Sequence, residues 1–273
     1  MRYKDSMTAK KIDNNLFILY RKSLTDKEEL EVIKKYFPDK NSDCMVGIQN
    51  KVVLGRYSCV PFYSEVQQGL AVQNSRLINS LSEHLYIANF DYYWDIENYT
   101  PKTWFSLVGL QDSDGPFIVK GQTNSKKHQW NTMMFAPTKA DAIRISIDLK
   151  NDYYLGSQDI IIRKYEPLIK LGDSINGLSF TNEWRFFFYK EELLSYGFYW
   201  SECDIKGSID EAGIDFAKKI SKIVSKRTSF YTIDIGQKEN GEWTVIELND
   251  GQMAGFSDND PHKLYSGLSK LKI

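Results

Sequence analysis

The sequence of 273 residues is short of cysteine: Cys44, Cys59 and Cys203 are odd in number, far apart and without a Cys-x-x-Cys pair. Such a set supports neither a disulfide framework nor a zinc site and fits a reducing compartment. Net charge is also missing, because 35 Lys and Arg stand against 36 Asp and Glu for a balance of -1. That balance argues against a nucleic-acid partner held by bulk charge, so any grip on phosphates has to be local. Nowhere do about 18 consecutive apolar residues occur, and the basic start MRYKDSMTAKKIDNN leads into no run suited to a signal peptide. The expectation is a soluble, cytoplasmic protein with no membrane partner. G-x-S-x-G, H-E-x-x-H and G-x-G-x-x-G are absent as well, which removes the simplest hydrolase, metalloprotease and dinucleotide-binding readings. His84, His128 and His262 have no mutual spacing that suggests a metal site.

What is present is a 42% hydrophobic, 14% aromatic chain, long enough for two domains or one large lobed domain. Leu16 to Tyr20 reads as a buried strand, and Thr25-x-x-Glu28 as a capping box opening a helix that Pro38 stops. Strands are expected near Met45 to Leu54 and a helix from Pro61, while Phe90 to Tyr99 reads as an irregular surface stretch. Phe117 to Gly121 and Trp130 to Phe135 read as a hairpin around a polar, basic tip. Thr138-x-x-Asp141 resembles a helix start with Ala140, Ile143 and Ile147 on one face, and Asp159 to Tyr165 a strand. Further on, strands are expected at 183–189 and 197–203, and Ser208-x-x-Glu211 opens the most regular amphipathic helix in the chain. Phe230 to Gly236, Asn240-Gly241 and Trp243 to Asn249 form strand, turn and strand. A mixed α+β protein with antiparallel pairs follows.

Residues two apart on a strand share a face, so Glu247 and Asn249 project together while Ile246 and Leu248 turn away. With Asp234 from the preceding strand they would form an oxygen-rich surface for a hard divalent cation, although acidic residues alternating on a solvated hairpin make the same pattern. Lys120 closes a strand before a loop holding Thr123, Asn124, Ser125, Lys126, Lys127 and His128. A polyphosphate would suit such a loop, and so would an exposed basic turn. Glu183 and Arg185 share a strand face among aromatic neighbours, so they either pair with each other or face a polar cleft. Glu166, before Pro167, ends another strand and suits a linker between lobes.

Taken in order, Lys102, Lys120 with its loop, Tyr165-Glu166, Glu183-x-Arg185, Asp234 and Glu247-x-Asn249 form a series that resembles the ATP-grasp fold. More narrowly, Thr100-Pro101-Lys102-Thr103-Trp104, Val119-Lys120-Gly121-x-Thr123-Asn124-Ser125 and Ile246-Glu247-Leu248-Asn249-Asp250 look like a branch of that superfamily found in phages and bacteria. The likeness spans roughly residues 44 to 260.

The resemblance implies two α+β lobes clamping ATP: a central lobe over 106–170 with a lid from Gly121 to Gln129, and a C-terminal lobe over 171–273. An α/β region over 1–105 would stand on the substrate side. Lys102 and Lys120 would contact the phosphates, with Thr123, Asn124 and Ser125 in the lid. Tyr165 and Glu166 would lie at the adenine hinge and Glu183 near the ribose. Arg185 would act on the γ-phosphate or acylphosphate, and Asp234, Glu247 and Asn249 would hold Mg2+. The implied activity is ligation of a carboxylate to an amine through an acylphosphate, on a small molecule, amino acid or peptide. The alternatives are a phosphotransferase on the same fold and a nucleotide-binding module without catalysis.

Overall fold

Apolar strands that are buried on both faces build the first sheet. Leu16, Ile18 and Leu19 of β1 (Leu16–Tyr20) are buried, and the strand runs parallel to β2 (Asn41–Ser42) on one side and β3 (Val52–Arg56) on the other. β4 (Arg76–Leu77) completes the order β2-β1-β3-β4. Parallel neighbours need crossovers, supplied by α1 (Lys27–Tyr36) and α2 (Tyr63–Ala71). The computed structural model describes residues 15–153, 155–173 and 175–273. The helix after Thr25 is capped by Asp26, which accepts from the Glu28 amide at 2.8 Å; Thr25 is buried with its hydroxyl unpartnered, so the expected box does not form. Between Asp43 and Lys51 the chain is turn and irregular, so strand begins only at Val52, and the expected helix at Pro61 begins at Tyr63.

The segment 90–99, expected as an irregular surface stretch, exposes Asp91, Trp94, Asp95, Glu97 and Asn98 but buries four other side chains. After α3 (Leu81–Ala88), α4 (Tyr93–Ile96) and a 3-10 turn at Glu97–Tyr99 bury Phe90, Tyr92, Tyr93 and Ile96 against the last sheet. Their aromatic area is too large to leave in water.

The central sheet is antiparallel in the order β5-β8-β6-β7, with β5 (Thr103–Trp104), β6 (Phe117–Gly121), β7 (Phe135–Ala136) and β8 (Ile160–Lys164). The expected strand from Trp130 is mostly helical: α5 (Trp130–Met133) precedes the two paired residues of β7. α6 (Lys139–Lys150) covers this sheet, capped by Thr138 as its sequence suggests. Its buried face carries Ala142, Ile145 and Leu149 rather than the expected Ala140 and Ile147, which are exposed. Both sets have helical spacing, and only the sheet beneath decides between them.

A small ribbon of β9 (Lys170–Asp173) and β10 (Ser179–Thr181) leads to the last sheet. That sheet has the order β12-β11-β13-β14, all antiparallel, from β11 (Glu183–Tyr189), β12 (Glu192–Phe198), β13 (Phe230–Gln237) and β14 (Trp243–Asp250). β12 starts earlier than expected because the chain reverses at once through Lys190, whose φ is 50°. α7 (Glu211–Val224) packs on one face, capped by Asp210 rather than Ser208, with the carboxylate accepting from Gly213 N at 2.9 Å. α8 (Pro261–Lys270) lies beside α1 and β12 and joins the first and last sheets in a single apolar cluster. No helix among the described residues is long and apolar enough to cross a membrane.

Candidate active site

Three charged residues stand side by side across the last sheet. Register places Arg185 of β11 opposite Asp234 of β13, and Asp234 opposite Glu247 of β14. Directly opposed residues share a face at close range. Arg185 grips Asp234 with two hydrogen bonds, at 2.8 Å from Nε and 2.6 Å from Nη2, a fork that compensates burial of both charges. Asn249, two residues beyond Glu247, donates from Nδ2 to Asp234 at 3.3 Å and to Glu247 at 3.4 Å. The three residues expected to hold a metal are therefore brought together.

β14 departs from simple alternation just before this row. Asp234 pairs with Glu247 but Ile235 pairs with Val245, so Ile246 is an extra residue. The bulge lets Val245 and Leu248 both reach the core, while Ile246 lines the same cavity as Glu247. The expectation that Ile246 turns away from Glu247 fails for this reason.

From the central sheet, Lys120 crosses to Glu247 with Nζ 2.5 Å from Oε2. Burial pushes the Glu247 carboxyl up, but the charges of Lys120, Lys127 and Arg185 outweigh it and hold the group well below the usual carboxylate range. The cavity between the two sheets has apolar walls that include Ile118, Met134, Leu168 and Ile246, and cationic side chains Lys120, Lys127, Arg163 and Lys164. Ser125, Tyr165, Glu166, Glu183 and Glu247 also line it. Glu183 is buried and accepts hydrogen bonds from Thr181 and from Trp200 Nε1; burial raises its carboxyl despite Lys127.

Other expected residues stand elsewhere. Lys102 is exposed, pairs with Asp114 at 3.2 Å and lies over Trp104, outside the cavity lining. Thr123 and Asn124 are also outside it, their amides held by Gln158 Oε1 at 3.2 and 3.3 Å. Arg185 lies behind the carboxylates, bound to Asp234 and to the Gly255 carbonyl.

Three cations that the sequence did not single out as site residues, Lys127, Arg163 and Lys164, line the cavity. Lys127 donates to Tyr199 Oη at 2.5 Å and lies over the rings of Tyr199 and Trp200. Burial lowers its ammonium, but Tyr199, Glu247 and Glu183 outweigh that and raise it above the ordinary lysine value. Arg163 is buried, donates to the Ile246 carbonyl and to Thr100 Oγ1, and has no carboxylate partner among the described residues. Burial lowers its guanidinium despite Tyr92 and the Glu247 charge in the same cavity, so a further anion bound there would be favoured. The strand ending at Lys164 was legible for Arg163; for Lys127 only the basic character of the loop pointed the right way.

The donor set fits Mg2+. That ion takes one or two carboxylates and completes its shell with phosphate oxygens and water, and Asp234, Glu247 and the Asn249 amide supply that number. No cluster of three or more His, Cys, Asp or Glu suited to a metal occurs among the described residues.

Comparisons with known proteins bear on the fold. Similar solved structures include the ATP-grasp ligase PsnB complexed with minimal precursor, Mg and ADP, at 11% identity and a TM-score of 0.57, covering 94% of this chain and 97% of that one. D-cycloserine synthetase DcsG gives 11% and 0.59 over 93% and 99%. A RimK domain ATP-grasp protein from Sphaerobacter thermophilus gives 10% and 0.59 over 93% and 98%. No curated protein matches the sequence. Residues 108–268, more than half the chain, match the family described as ATP-grasp domain, R2K clade family 3, and the protein belongs to that family of the ATP-grasp ligase fold.

Proposed function

We propose that the protein is an ATP- and Mg2+-dependent ligase that joins a carboxylate to an amine with release of ADP and phosphate. The observation that carries this is the contact of Lys120 with Glu247 on the wall of a cavity with apolar sides, with Asp234 and Asn249 beside Glu247. ATP fits as the ligand: the apolar walls near Tyr165 and Glu166 suit a base, and Lys120, Lys127 and Arg163 suit a triphosphate. Asp234, Glu247 and Asn249 would hold Mg2+, which supplies charge neutralisation at the phosphate oxygens.

In this reading a carboxylate oxygen of the substrate attacks the γ-phosphorus, the bond to the β-bridging oxygen breaks, and ADP leaves. An amine then attacks the acyl carbon, phosphate leaves with the carboxyl oxygen, and the nitrogen loses its proton. The chain supplies position and charge rather than a nucleophile: Lys120 and Lys127 meet developing negative charge, and Arg185 fixes Asp234. The region before residue 105 would form the substrate side, with the nucleotide between 106–170 and 171–273. Incubation with ATP, Mg2+ and pooled amino acids or peptides should release ADP and phosphate. Release of AMP would reject the acylphosphate scheme.

The pairing of Glu247 with Lys120 and of Asp234 with Arg185 also favours a second reading, a nucleotide-binding module without turnover, since both carboxylates already have cationic partners. Binding of a non-hydrolysable ATP analogue with no ADP release from any pool would favour it.

A further inference from the structure

A second crevice lies in the first sheet, away from the cavity above. The connections from β1 and β3 leave in opposite directions, through α1 to β2 and through α2 to β4. In open parallel sheets ligands bind beyond the carboxyl ends of the strands where the winding reverses. A crevice of about 380 Å³ opens at that place, and its lining includes Arg21 and Lys22 after β1, Asp43 after β2 and Tyr57 after β3.

Its chemistry is specific. The Arg21 guanidinium lies 4.9 Å from the Tyr57 ring centroid, which holds it in place without neutralising it. Neither Arg21, Lys22 nor Asp43 has an ion-pair partner among the described residues, although opposite charges share the crevice. Leu19, Met45 and Val66 give an apolar wall. Met253 packs into the same cluster as those residues and Tyr57, four positions beyond Asn249. The carboxyl end of β3 is stitched to that turn: Arg56 Nη1 donates to the carbonyls of Gly251, Gln252 and Ala254 at 3.0, 3.1 and 3.0 Å.

The geometry points to this crevice as the binding site for a free α-amino acid with an apolar side chain. Arg21 and Lys22 take its carboxylate, Asp43 its ammonium, and Leu19, Met45 and Val66 its side chain. As a co-substrate site it rests on the ligase reading; as a binding site it stands without it.

The test is calorimetry on the full chain with the common free amino acids, then with the N-acetyl and amide derivatives of the best binder. Binding of MgATP is measured separately. A free apolar amino acid should bind, each blocked derivative at least about tenfold more weakly, and Arg21→Met and Asp43→Asn should each weaken the free form by about tenfold. MgATP binding should be unchanged in both variants. No amino acid binding in a protein that binds MgATP normally would overturn the proposal, as would equal binding of the blocked forms or of both variants. Amino acid binding without MgATP binding would instead uphold the crevice and reject the ligase reading.

Discussion

Lys120 and Glu247 lie 127 positions apart in the chain and meet at 2.5 Å, the ammonium from the central sheet and the carboxylate from the last. The pair ties together the two sheets that flank the cavity.

This pairing has a pH signature. Glu247 in the folded chain sits below the ordinary carboxylate range, so its contribution to stability is present above the unfolded value of about 4.3 and is lost as pH falls through the folded value. Lys120→Met removes the nearest opposing charge and lets burial raise the carboxyl. The stability gap between the native chain and Lys120→Met should therefore widen from pH 3 to pH 7. Urea unfolding at several pH values checks this, and a gap independent of pH would contradict the assignment.

Lys127 should govern nucleotide affinity. Its ammonium stands in the cavity with Tyr199 as its hydrogen-bond partner. Lys127→Met should weaken ATP binding by about tenfold, with Lys127→Arg recovering part of it.

Asp250, the residue after Asn249, should matter for stability. Its carboxylate accepts from Asn79 Nδ2 at 2.9 Å, from the Gln252 amide at 3.0 Å, and lies 3.0 Å from His84 Nδ1. Asp250→Ala would leave the Gln252 amide and His84 Nδ1 without this acceptor and Asn79 Nδ2 with only the Phe230 carbonyl, at a loss of about 3 kcal/mol. Denaturant titration measures it, and a loss under about 1 kcal/mol would mean that the network relaxes onto other partners.

Thiol chemistry should separate the cysteines. Cys44 is exposed, Cys203 is buried, and burial with the nearby Asp250 charge pushes the Cys59 thiol up to about 11. An excess of iodoacetamide at pH 8 should label Cys44 first, with Cys59 slow because little thiolate forms. Mass spectrometry of the peptides reads the order.

Much of this arrangement was legible in the sequence, and the rest depends on packing. The hairpin of β13 and β14 was readable because Asn240-Gly241 fixes its turn, and Glu247-x-Asn249 share a face by parity alone. Lys120 was readable as the end of an apolar strand. The burial of Phe90, Tyr92, Tyr93 and Ile96 was not, because aromatic residues there are spaced for neither helix nor strand and find their place only against the last sheet. The buried face of α6 was misjudged because two apolar stripes compete on one helix. Lys102 carries no local mark that would tell a phosphate ligand from a partner of Asp114, and Lys127 differs from Lys126 only in which side of the loop faces the cavity. His84, read as ordinary, is stacked on Tyr63 and bound to Asp250, a contact across 166 positions.

The bulge in β14 separates what the sheet requires from what the cavity requires. Without Ile246, the neighbours Val245 and Glu247 would still face opposite sides and continue the ladder to Ile235 and Asp234. The extra residue serves the cavity, through a side chain on its wall and a carbonyl that anchors Arg163. Deleting it should leave a folded scaffold whose grip on nucleotide is gone, which makes this one position a handle for uncoupling architecture from nucleotide binding.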